Sequence, residues 1–268
     1  MRPSPITDRQ PQTRLLTGAL LALLLGAAPG AAQTESLPPG FPLDAAQRKV
    51  LCGPRVAGET PATPLRLVGS EEGPLRRMYS PTEALIVGGG AADGLESGQL
   101  FAVRRPGMSR LQPPELRANG IRVAGVRTLG VIRLVSMDQA LASAEVLEMC
   151  EGFAEGDYLV PFEPPQVPAA MAADRAPDYS QPGLVLFGDP ARRILSPGDM
   201  VVIDRGAGTV APGQAVTIYR PTLPGGGPVH EVAWGIVMEV EAFSSMVRID
   251  RAKDAVVSGD LVAPHDGR

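Results

Sequence analysis

The chain has 268 residues, with 25 basic and 29 acidic side chains, a net charge of −4 and only 4 % aromatic residues. That balance excludes general nucleic-acid binding and leaves Val, Leu, Ile and Ala to build the cores. With 31 Gly, 28 Pro and no long stretch of helical period, the sequence predicts an all-β protein of short strands and many turns.

Residues 1–32 carry Arg2, Arg9 and Arg14, an apolar run from Leu15 to Ala28, and the small residues Gly30, Ala31 and Ala32. A charged start, a short apolar stretch and a small-residue end make a secretory signal peptide. About 14 apolar residues fall short of the roughly 20 that cross a bilayer. An exported protein of the periplasm or extracellular space, without a membrane span after cleavage, is therefore expected. Residues 33–78 form an N-terminal arm, expected to be partly ordered and packed on the first module; a partner-binding arm is the other reading. Its one candidate helix runs from Leu43 to Leu51, with Asp44 able to cap it and Gly53-Pro54 to end it. Cys52 lies in this arm and Cys150 in the module that follows. In an oxidising compartment the two are a candidate disulfide, and two unpaired thiols are the alternative.

Residues 79–163 and 184–268 read as two copies of one β module, joined by a Pro/Ala-rich linker over 164–183 whose proline density makes it stiff. Residues 130–162 answer residues 235–265, and each copy closes on Gly-Asp, two apolar residues, one variable residue and Pro. These closings begin at Gly156-Asp157 and Gly259-Asp260. Upstream, residues 97–106 answer 212–221. The spacing between copies is 115 at Gln99/Gln214, 105 at Gly130/Gly235 and 103 at Asp157/Asp260. That implies ten extra residues in the first copy between Pro106 and Gly130, and a further difference of two at the turn around Asp138. Length changes confined to turns are what a repeated β module shows. The run Gly183 to Gly188 is either the first strand of the second module or a strand laid across the junction.

The glycines of residues 84–94 invite a dinucleotide-binding reading, but they lead to another strand and not to a helix that could face a pyrophosphate. No cofactor is expected. Gly98-Gln99, Gly156-Asp157, Gly198-Asp199, Gly213-Gln214 and Gly259-Asp260 each precede an apolar run. The glycine supplies the turn there and the polar side chain bonds nearby backbone N–H groups. Asp157 and Asp260 are thus structural turn residues. Catalysis or metal binding would need companions that the two dispersed histidines, His230 and His265, do not supply.

The order of Gly-Gln and Gly-Asp strand starts, the strand opening Gly130-Val131-Ile132 or Gly235-Ile236-Val237, and the terminal Gly-Asp-apolar-apolar-x-Pro together resemble the small β-barrel modules of bacterial envelope proteins. Residues 84–163 and 184–265 are similar to the C-terminal domain of the flagellar assembly protein T family and to modules that accompany lysin-motif domains. The resemblance implies two tandem SH3-like β barrels serving as a non-catalytic structural or binding module at the cell envelope. The alternative is a carboxylate-based hydrolase acting on cell-wall glycan, which needs two acids roughly 5 to 9.5 Å apart across a cleft.

One segment stands out by charge. Residues 104–129 hold Arg104, Arg105, Arg110, Arg117, Arg122 and Arg127 against the single acid Glu115, leaving −9 on the rest of the chain. Arginine forks pair bidentately with carboxylate or phosphate, so this segment is the candidate surface for an envelope protein or an anionic cell-wall polymer. The competing expectation is a solvated hairpin whose arginines pair with the protein's own carboxylates.

Overall fold

The computed structural model describes residues 41–57, 65–73, 78–107, 124–171, 176–189, 192, 194–223 and 226–265. The signal peptide expected over 1–32, and Arg110, Arg117 and Arg122, lie outside the described residues.

One α-helix, α1 (Ala45–Leu51), opens the described chain. Asp44 starts it by accepting from the Ala46 and Gln47 N–H groups, while Gln47 Oε1 accepts from the Asp44 N–H. This reciprocal pairing satisfies donors that the first turn leaves orphaned. Two strands follow before residue 79, β1 (Arg55–Val56) and β2 (Arg66–Ser70). Next come β3 (Leu85–Gly88), β4 (Leu100–Gly107), β5 (Gly125–Met137), β6 (Leu141–Met149) and β7 (Tyr158–Pro161). Their antiparallel pairings run β4-β5-β6-β3-β2-β7 and return to β4, a ring of six with β1 added outside β5. The second module holds β8 (Gly183–Gly188), β9 (Met200–Ile203), β10 (Ala215–Leu223), β11 (Gly226–Val240), β12 (Ser245–Ala252) and β13 (Leu261–Pro264), closed as the barrel β10-β11-β12-β9-β8-β13. The fold is thus all-β, in two small barrel modules. Gly183–Gly188 is a barrel strand, set between β9 and β13.

The two rings have the same strand order, and their registers match residue by residue. Val103↔Gly130 answers Ile218↔Ala233, Leu134↔Ala144 answers Val237↔Val247, and Leu67↔Val87 answers Val185↔Ile203. Even the bulges coincide: those after Val103, Val131, Leu134 and Leu67 reappear after Ile218, Trp234, Val237 and Val185. From β5 to the end of β7 the spacing is a constant 103, so Gly130 answers Ala233 and not Gly235. The turn at Asp138 therefore carries no length difference. From β4 onward all of it falls between β4 and β5, where the first copy is 12 residues longer than the second. Matching the two glycines slipped the copies by two residues, a shift that keeps every side chain on its own face and so leaves the apolar pattern intact.

The repeat also begins earlier than residue 79. Strand β2 is the counterpart of β8, since the Leu67 and Val185 N–H groups donate to the Asp157 and Asp260 carbonyls at 2.9 and 2.8 Å. In β2 only Leu67 and Ser70 are buried, whereas β8 buries Gly183, Val185, Leu186 and Gly188. The apolar signal that marks β8 is missing from its twin.

Each barrel is filled by its own apolar residues. Leu67, Val87, Leu129, Ile132, Leu134 and Phe153 form the first core, and Val185, Ile203, Ile218, Val237, Val247, Ile249 and Val262 the second. The arm joins the two instead of packing on the first alone. Leu43 and Leu51 bury against Val131 of the first module, while Val50 buries against Met200, Ile236, Met238 and Met246 on the outside of the second. Helix α1 is thus an inter-module wedge.

Candidate functional site

The Gly-Asp turns have a common geometry. Gly98, Gly156, Gly198, Gly213 and Gly259 all take φ between 84° and 91°, or 96° at Gly259, a region that costs glycine nothing. The following polar side chain reaches back three residues: Asp157, Asp199, Asp260 and Gln214 accept from the N–H groups of Ala154, Ser196, Val257 and Ala211 at 2.7 to 2.9 Å. Asp157 and Asp260 do more. Arg105 grips Asp157 through Nε (2.6 Å) and Nη2 (2.7 Å) and donates to the Gly152 carbonyl. Arg220 grips Asp260 through Nε (2.5 Å) and Nη2 (2.9 Å) and donates to the Ala255 carbonyl. Both aspartates are 3 % exposed. The hydrogen bonds that the two guanidinium groups donate to these carboxylates raise both arginine pKa values above the ordinary one.

This clasp was missed in the sequence, although Arg105 and Arg220 occupy matching places there. Its signal was the co-repetition of an arginine with an aspartate, hidden because the partners are 52 and 40 residues apart.

The structure brings Cys52 and Cys150 together as a disulfide, with Cα atoms 5.5 Å apart. It fastens the end of α1 to the first module just beyond β6. The next residues reach across to the second module. Arg55, 7 % exposed, pairs with Glu239 (2.5 Å), lies 3.9 Å from Glu241, and donates to the Val50 carbonyl. Ser244, Ser245 and Met246 complete a water-sized cleft around these groups.

Of the arginines proposed as a partner surface, three are described, and they part ways. Arg105 is held in the clasp and Arg127 pairs with Glu151 at 2.5 Å. Arg104 turns to the junction, where burial and then the neighbouring Arg55 lower its pKa, against the pull of Tyr158, Glu241 and Glu239. No local spacing in the sequence links Arg55, Glu239 and Glu241. No group of three His, Cys, Asp or Glu that could hold a metal ion occurs among the described residues. Among them, too, no helix is long and apolar enough to cross a membrane.

No protein-family model matches the chain, and no curated protein matches its sequence.

Proposed function

We propose that the protein is a non-catalytic structural or binding module of the cell envelope, exported to the periplasm or beyond, with an envelope protein or an anionic cell-wall polymer as its partner. The observation that carries this reading is the Cys52–Cys150 disulfide, which ties the arm to the first module and is a bond of oxidising compartments. The apolar run of residues 15–28 agrees with it as an export signal. The hydrolase alternative draws no support from Asp157 and Asp260, each occupied by an arginine and a backbone N–H.

The test is a pull-down of the mature chain from native envelopes, together with sedimentation against purified peptidoglycan. Binding in either arm supports the reading; none in both, or release of reducing sugar ends from the glycan, overturns it. The basic segment is tested alongside. Changing Arg110, Arg117 and Arg122 to Ser is expected to weaken association, most at low salt where screening is least, without lowering the melting temperature. Unchanged association removes the segment as the binding surface.

A further inference from the structure

The two modules present the same outer wall in two states. On the first, Val131 is fully buried beneath Leu43 and Leu51 of the arm, with Cys150 and Phe162 at the margin. Arg48 of α1 pairs with Glu148 on that wall at 3.0 Å, and Cys52 is bonded to Cys150. The constant spacing of 103 carries Val131, Glu148, Cys150 and Phe162 to Trp234, Arg251, Lys253 and His265.

No helix among the described residues lies on this second wall. The chain arriving at β8 runs extended beside β13 instead, with Pro177 bridged to His265 and the Asp178 N–H donating to the Pro264 carbonyl. Trp234 is half-buried, with the Arg251 guanidinium 5.0 Å and the Lys253 ammonium 4.7 Å from its ring centre. Both cations are exposed. The wall is also continuous with a contact already made, because the next outward residues of β11, Ile236 and Met238, are buried against Val50 of α1.

We infer that the wall around Trp234 is a docking face for an amphipathic helix of a partner protein, one that carries acidic side chains. The template is the arm itself, which brings Leu43 and, from α1, Leu51 to the wall, with the charge of Arg48 at the position opposite Glu148. Where Glu148 receives the basic Arg48, the second module offers Arg251, which takes a carboxylate through charge-assisted hydrogen bonds. Where Cys150 tethers α1 covalently, Lys253, itself paired with Glu231 at 3.0 Å, offers no tether, so the partner binds reversibly. The helix lays its apolar face along Trp234 in the manner of helix-in-groove recognition. This inference rests on the reading of the protein as a binding module.

Trp234 is the only tryptophan in the chain, so its emission reports on this face alone. The probe is a synthetic peptide of residues 41–51 with Arg48→Glu, stapled between its exposed positions 45 and 49 because so short a helix is marginal alone in water. Titrated into the full mature chain, it is expected to give a saturable blue shift below about 1 mM. The response should weaken roughly tenfold, about 1.4 kcal/mol, in Arg251→Ser/Lys253→Ser, and likewise with a peptide that keeps Arg48. No shift, or an equal shift in the double variant with unchanged melting temperature, overturns the face. An anionic polymer that shifts Trp234 where the peptide does not overturns the helix as its occupant. If the peptide fails while envelope association persists, the face falls and the binding-module reading stands; if both fail, both fall.

Discussion

The Arg105–Asp157 and Arg220–Asp260 pairs are not ornaments of the surface, because each carboxylate is almost wholly buried and has its oxygens divided between a guanidinium and a backbone N–H. Removing the arginine strands a buried charge, a loss that costs about 3 kcal/mol or more. Arg220→Ala is therefore expected to destabilise the second module by about that amount in urea unfolding. Lys253→Ala, which breaks an exposed pair with Glu231, should cost under about 1 kcal/mol. Equal effects of the two changes would contradict the clasp. At this scale the aspartates were legible and the arginines were not. Gly-Asp is a local pattern whose mechanism lies within four residues, whereas Arg105 reads in sequence only as one more charge in a basic run. Its partner is reached across the pairing of β4 with β7.

Among elements, the long central strand shows how a correct repeat can be read in a wrong register. A Cβ at Gly130 would overlap the Glu148 carbonyl and the Phe153 ring, and one at Gly235 would overlap the Arg248 carbonyl. Each module needs its glycine where its own backbone crosses closest, and the two places differ by two residues. Gly130→Ala is expected to cost about 3 kcal/mol, as overpacking of a filled site does, although the second module carries Ala233 at the equivalent position. A near-neutral melting temperature for that variant would show that the first barrel relaxes more than its packing implies. Strand β2 escaped notice for a related reason: Gly69 sits at its bulge and Ser70 points inward, so its membership follows only from the closed ring.

For the whole molecule, the fold class was readable because apolar runs and turn residues are local, while the relation of the modules was not. Leu43, Val50 and Leu51 look like one amphipathic face, yet they serve two different bodies. The second barrel draws its strands and its internal core entirely from residues after 182, so a fragment of residues 176–268 is expected to unfold cooperatively. Its midpoint should fall below that of the intact chain, because losing Val50 bares Met200, Ile236, Met238 and Met246. A gradual, non-cooperative melt would contradict a self-sufficient second barrel. The disulfide also alters how the chain carries load. A pull between residue 41 and residue 265 enters at α1, crosses the Cys52–Cys150 bond and leaves through β7, so the 98-residue separation between the cysteines is bypassed. Stretched in an optical trap, the oxidised chain should stop about 340 Å short of the reduced one, at roughly 3.5 Å for each shielded residue. Under tension, such a loop would keep β1 to β6 out of the line of load even after their hydrogen bonds had parted.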